Sequence, residues 1–135
     1  MKTLHIAFVA LAISILLSCM QNDTRYTTLS AQEAKDFLEQ HPETFVLDVR
    51  TLEEFATGHL PNATLLPVQE LEQNIAQLPS DKNCSILVYC RSGSRSRTAS
   101  AILAAHGFSR VINMQGGIIA WSAARFPIVV PSFPK

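Results

Sequence analysis

The uninterrupted apolar run Ile86-Leu87-Val88-Tyr89 ends on Cys90 and is followed at once by Arg91-Ser92-Gly93-Ser94-Arg95-Ser96-Arg97, and this limits the folds open to the chain. A short run without polar alternation reads as a strand covered on both faces, the property of strands in a parallel sheet with helices above and below. Phe45-Val46-Leu47-Asp48-Val49 has the same character, and Thr64-Leu65-Leu66 and Arg110-Val111-Ile112 read as further strands. Helical patterns lie between them. Ser30 and Glu33 have the spacing of a capping box ahead of a helix with Ala34, Phe37 and Leu38 on one face, ended by His41-Pro42. Leu52 to Ala56 is a short helical segment, and Val68, Leu71, Ile75 and Leu78 recur at helical spacing. Arg95 to Ala105 is a helix stopped at Gly107, and Gly116-Gly117 opens a last one to about Ala124. Strands alternating with helices predict an α/β domain with a mainly parallel sheet and helices on both faces.

In such sheets ligands sit beyond the carboxyl ends of the strands, which is where Cys90 falls. A thiol at a strand-to-helix loop meets successive backbone N–H groups, the positive end of a helix dipole and nearby guanidinium groups, all of which favour thiolate. Arg91, Arg95, Arg97 and Arg110 are four of the eleven basic residues, and no acid lies among them, in a chain whose formal charge is zero. A local cationic pole in a neutral protein points to a small anion and not to nucleic acid. Spacing narrows the chemistry further. Cysteine phosphatases need five residues between the cysteine and an arginine that grips phosphate as a fork. Here Ser96 occupies that place, and Arg95 comes one residue earlier, closing a tighter loop suited to a single sulfur atom.

Residues 1–18 read as an export signal, with Lys2 followed by an apolar stretch from Leu4 to Leu17 that is too short to span a bilayer comfortably. Leu16-Leu17-Ser18-Cys19 resembles a bacterial lipobox, which predicts Cys19 as a lipidated first mature residue on the periplasmic side of the cell envelope, the alternatives being an ordinary signal peptide cut near the same point or a retained membrane anchor. By resemblance to lipoproteins of two-membrane bacteria, Met20 after Cys19 favours the outer membrane. Residues 20–28 read as a tether, 29–126 as the domain and 127–135 as a proline-rich tail. Disulfides are permitted in that compartment, but Cys84 and Cys90 flank a strand and so stand roughly 20 Å apart, beyond bridging distance. Cys90 is therefore expected as a free thiol.

Four ordered blocks carry a family resemblance: Phe45 to Arg50, Glu54 to Ala63, Val88 to Ser96, and Asn113 to Trp121. Together they resemble the rhodanese-like sulfurtransferases, from about Leu29 to Ala124. The family's Pro-Gly-Ala turn reads Pro61-Asn62-Ala63 here, and Asn tolerates the left-handed conformation that Gly would adopt. The resemblance implies a single rhodanese-like domain that moves sulfane sulfur from thiosulfate or a similar donor to cyanide or a thiol, through a persulfide on Cys90. Arg91, Ser92, Gly93, Ser94, Arg95 and Ser96 would bind the anion and cradle the persulfide, with Arg95 open to pairing with a carboxylate instead. Asp48 and Arg50 would brace the loop, His59 would serve the turn, Trp121 would anchor the core, and Arg97 would be a surface group. No cofactor, metal or nucleic acid is expected, and the protein would act as a monomer attached to the membrane through Cys19. Two other readings share the resemblance: a non-catalytic rhodanese-like binding module, and a thiol-redox or persulfide sensor at the cell envelope.

Overall fold

The computed structural model describes residues 25–132. The export segment, Cys19 and residues 20–24 lie outside the described residues, as do residues 133–135. The elements run β1 (Thr27–Leu29), α1 (Ala31–Gln40), β2 (Phe45–Asp48), α2 (Leu52–Ala56), β3 (Ala63–Leu65), a 3₁₀ segment (Glu72–Gln77), β4 (Ser85–Tyr89), α3 (Ser94–Ala105), β5 (Arg110–Met114) and α4 (Gly117–Ala123). The five strands form one sheet in the order β1-β5-β4-β2-β3, with every pairing parallel. All carboxyl ends therefore open onto one edge.

β4 is central, and each of its five residues is buried. The strand alternates between two cores, as a period of two requires. Ile86 and Val88 point into a layer with Leu47, Leu71, Ala99, Leu103 and Phe108, under α3 and the 3₁₀ segment. Leu87 and Tyr89 point into the opposite layer with Ala31, Ala34, Val46, Leu60, Met114 and Trp121, under α1 and α4. The unbroken apolar run thus reflects two covered faces. Ser30 caps α1 in both directions: its hydroxyl accepts from the Glu33 N–H, and Glu33 accepts the Ser30 N–H at 2.8 Å.

Three segments differ from the sequence reading. Thr27 and Thr28, assigned to the tether, belong to β1, where they pair with Ile112 and Asn113 and add a parallel edge to the sheet. Val68 to Leu78 is a turn and a 3₁₀ segment, not an α-helix. It lies between Pro67 and Pro79, and Asn74 leaves helical geometry while its amide donates to the Glu70 carbonyl at 2.8 Å. The apolar spacing still does its work there, because Leu71 and Leu78 remain buried. The start of the tail is docked. Trp121 is buried and its indole N–H donates to the Pro127 carbonyl at 2.9 Å, Phe126 stands edge-on to its ring, and Val129 exchanges two backbone hydrogen bonds with His59. A buried indole needs an acceptor, and residues beyond Phe126 supply it.

Tyr89 ties the two central strands together. Its hydroxyl donates to Asp48 Oδ2 at 2.5 Å and accepts the Leu60 N–H at 3.1 Å, with none of these groups reaching solvent. Tyr89→Phe would leave a buried N–H unpaired and a buried carboxylate short of one donor. We expect a loss of about 1–3 kcal/mol, read as a lower denaturant midpoint with an unchanged slope.

Candidate active site

Cys90 leaves the end of β4 and the chain curls through Gly93, in the left-handed region at φ 108°, before α3 begins at Ser94. The curl is held from outside. The Cys90 carbonyl accepts the Ile118 N–H at 2.9 Å and the Arg91 carbonyl accepts the Ile119 N–H at 3.2 Å, both from the start of α4. With those carbonyls turned away, the loop's N–H groups are free to face sulfur. Gly117 makes the approach possible, since a Cβ there would sit 2.4 Å from the Arg91 carbonyl oxygen and 2.5 Å from that of Cys90.

Within the curl, the Gly93 N–H donates to Cys90 Sγ at 3.1 Å. The Ser96 hydroxyl oxygen lies 3.6 Å from Sγ. Burial pushes the Cys90 thiol up, since the residue is only 1% exposed. Hydrogen bonds to sulfur from the N–H groups of Ser96, Gly93 and Ser92 and from the Ser96 side chain outweigh it, and the net result is a thiol below its ordinary value. Cys84 goes the other way: burial and Asp81 outweigh its own backbone hydrogen bond and hold it above the ordinary value. Both cysteines are free.

The loop's cations are placed differently from one another. Arg91 is exposed and borders a cleft of about 440 Å³ with Arg50, Glu54, Gly58, Ile118, Ile119 and Ile128. Arg95 is half-buried and forms a bidentate pair with Glu54, both contacts at 2.7 Å. The carboxylate alternative for Arg95 is thus realised, and its charge also acts on Cys90. Arg97 is exposed on α3 beside a second, more polar cleft of about 480 Å³ with Thr28, Ser92, Ser94, Asn113 and Gln115. Asp48 and Arg50 form a closed, buried pair, with the Arg50 Nη2 group 2.6 Å from Asp48 Oδ2 and also donating to the Gly58 carbonyl at 2.8 Å. This pair fixes the end of β2 beside the loop. His59 stacks on Phe55 at 3.9 Å and its Nδ1 lies 2.9 Å from the Leu60 carbonyl oxygen, so it serves the turn. Asn62 takes the left-handed conformation, φ 60°. No group of three metal-ligating side chains occurs among the described residues.

Glu54 and Asn113 were given no role in the sequence reading. Glu54 sits three residues after Thr51 in a capping box, and its Oε2 accepts the Thr51 N–H at 3.0 Å while the same carboxylate holds Arg95. Asn113 is a polar residue on a strand covered on both faces, and its Oδ1 accepts from Ser96 at 2.7 Å. A polar residue in such a run was the available signal.

A parallel α/β sheet with a nucleophilic sulfur cradled at its carboxyl edge defines a class of anion-handling cysteine proteins. The comparisons make the class particular. Residues 30–124 match the family model described as a rhodanese-like domain, and the chain belongs to that family. It is 42% identical over 86 residues to a sulfurtransferase of Allochromatium vinosum, covering 64% of this chain and 78% of the relative. It is 32% identical over 148 residues to the rhodanese-like domain-containing protein 17 of Arabidopsis thaliana, covering 96% and 94%. A rhodanese-related protein from Thermoplasma volcanium superposes with a TM-score of 0.69 at 29% identity, over 78% of this chain and all of that one.

Two outcomes follow from this geometry. Gly117→Ala forces a methyl group into the Cys90-Arg91 backbone and should cost about 1–3 kcal/mol, with the ultraviolet thiolate titration of Cys90 moving to higher pH as the curl opens. Glu54 is held by Arg95 well below its usual 4.5, at about 2. A depressed carboxylate contributes stability that is present above 4.5 and lost as pH falls through about 2. The stability gap between wild type and Glu54→Gln should therefore be widest near neutrality and close toward pH 2, as read by denaturant midpoints across that range.

Proposed function

We propose that the protein is an exported sulfurtransferase that carries sulfane sulfur on Cys90. The observation that carries this reading is the set of donors converging on one sulfur atom, the Gly93 N–H at 3.1 Å among them, with no disulfide at Cys90 among the described residues. The Cys90 thiolate attacks the outer sulfur of an anionic donor such as thiosulfate. A sulfur–sulfur bond forms on Cys90, the donor's own sulfur–sulfur bond breaks, and its electron pair leaves with sulfite. The resulting persulfide is then attacked at its outer sulfur by cyanide or by a thiol, which returns Cys90 as thiolate. The two half-reactions make a ping-pong scheme that needs no cofactor.

Five of the loop residues have a part in this scheme, while Ser94 lines the polar cleft beside it. The exposed Arg91 attracts the donor and balances the leaving sulfite, and it has the room of the adjoining cleft to do so. Arg95 is committed to Glu54 by two nitrogens and contributes its field at Cys90 more than a direct grip. The N–H groups of Ser92, Gly93 and Ser96 that favour thiolate would equally favour the persulfide anion. A sulfur this enclosed accepts a terminal atom at the end of a narrow group. In thiosulfate and small persulfides the atom attacked is a terminal sulfur, whereas in a phosphate it is the central phosphorus, screened by its oxygens.

Anchoring through Cys19 is part of the same proposal and rests on the Leu16-Leu17-Ser18-Cys19 sequence. It would place the carrier at the periplasmic side of the envelope.

Intact mass of the natively purified protein, before and after thiosulfate, tests the reading. The expected result is a gain of one sulfur that localises to Cys90, is discharged by cyanide as thiocyanate, and is absent from Cys90→Ser. A wild-type protein that neither gains sulfur nor yields thiocyanate would remove the proposal. The same spectrum reads the lipid mass expected on Cys19.

A further inference from the structure

Ser96 is sealed from solvent and Asn113 nearly so, at 0% and 2% exposure, directly behind the Cys90 sulfur. Ser96 Oγ has three polar neighbours: Cys90 Sγ at 3.6 Å, Asn113 Oδ1 at 2.7 Å and the Gly93 carbonyl oxygen at 3.1 Å. A hydroxyl has one proton to give. With Cys90 as a thiol the arrangement is satisfied, because the S–H donates to Ser96 Oγ and the Ser96 proton goes on to Asn113. With sulfur as an anion it is not. The thiolate would take the Ser96 proton, and Asn113 Oδ1 would then face a bare Ser96 oxygen at 2.7 Å. In a buried site two such acceptors in contact are costly.

The carboxamide contains its own remedy. Asn113 Nδ2 donates to no group among the described residues. A half turn about the bond to Cγ exchanges oxygen and nitrogen within the same volume, which only an amide can do among side chains of this shape. Asn113 also borders the polar cleft of Thr28, Ser92, Ser94, Arg97 and Gln115, whose hydroxyl, amide and guanidinium groups are donors for the oxygen turned outward.

We propose that Asn113 is a positioning residue for Cys90. Its carboxamide accepts from Ser96 while sulfur is a thiol, and turns to donate Nδ2–H to Ser96 Oγ when sulfur is a thiolate or persulfide, which releases the Ser96 proton to the anion. The persulfide half of this rests on the sulfur-carrying function proposed above; the thiolate half does not. The other charged or titratable groups on the elements around Cys90 are already engaged or remote. They are Arg91 in the loop, Arg95 on α3, which pairs with Glu54 on α2 and also acts on Cys90 itself in every variant, the exposed Glu53 beside Glu54, the closed Asp48–Arg50 pair after β2, and Tyr89 on β4, bound to Asp48. Arg97 faces the polar cleft, Arg110 stands at the opposite end of β5, and α4 carries no charge.

The test is the ultraviolet thiolate titration of the full chain, with Cys90→Ser as blank, for wild type, Asn113→Asp, Ser96→Ala and the double variant. A carboxylate can only accept, so it holds the Ser96 proton away from sulfur and also adds its own charge. Ser96→Ala isolates the charge alone, and the cycle separates the two. Asn113→Asp should raise the Cys90 midpoint by about one pH unit when Ser96 is present and by less than half of that in the Ser96→Ala background. Equal shifts in the two backgrounds would overturn the proposal. Should a variant fail to fold, isotope-labelled wild type gives a second reading: the Asn113 side-chain NH₂ resonances should move with the Cys90 titration, and resonances that stay fixed through it also overturn the proposal. Neither readout requires sulfur transfer, so a protein that forms no persulfide but shows the relay separates the two claims.

Discussion

The site depends on two hydrogen bonds made by the wrong side of the active loop. The carbonyls of Cys90 and Arg91 are pulled outward by the Ile118 and Ile119 N–H groups of α4. Each peptide unit is planar, so turning its carbonyl outward turns its N–H inward. The Ser92 N–H, one of the three that face Cys90 Sγ, is therefore aimed by α4. Gly117 is the condition for this, because any Cβ would occupy the space the two carbonyls need. The Gly116-Gly117 pair does more than open α4; it lets α4 reach the loop at all.

A second constraint keeps the loop's base in place. Asp48 is wholly buried and would be costly there unless paired. It receives Arg50 through its backbone N–H and two guanidinium nitrogens and Tyr89 through its hydroxyl, and Arg50 passes on to the Gly58 carbonyl while Tyr89 takes the Leu60 N–H. One carboxylate thus joins β2, β4 and the turn after α2. These contacts lie at the carboxyl edge of the two central strands, where Cys90 emerges, so the stiffness of that edge comes from a closed polar network and not from apolar packing alone. Because the network is internally satisfied, it leaves Arg91 as the loop cation facing the cleft.

What could be read from the sequence was local, and what could not was long-range. The apolar runs of β2 and β4, the capping box at Ser30 and the left-handed Asn62 are decided by neighbours along the chain, and the structure has them all. The bond from Arg95 to Glu54 and that from Tyr89 to Asp48 each join residues 41 apart, and nothing in either local pattern announces its partner. The segment from Val68 to Leu78 misled for the opposite reason. Its apolar spacing is real, but that spacing only requires Leu71 and Leu78 to face the core, and a turn with a 3₁₀ segment between two prolines meets the requirement without an α-helix. The tail beyond Phe126 could not be placed by its composition, because its docking answers a need of Trp121 that exists only once the indole is buried.

Burial and reactivity pull in opposite directions at Cys90, and the resolution explains the shape of the loop. A sulfur at 1% exposure should be an inert thiol if desolvation acted alone. Charge by itself does not reverse this, since Arg95 is largely neutralised by Glu54 and Arg91 stands in solvent. The reversal comes from short-range donors fixed by the backbone, which take the place of water without needing to reorganise when charge appears. That choice has a chemical consequence. A thiolate held by guanidinium groups would lose its stabilisation to any competing anion. A thiolate held by peptide N–H groups would keep its stabilisation with Arg91 left free for an anion, so in the proposed reaction one cradle would serve both thiolate and persulfide.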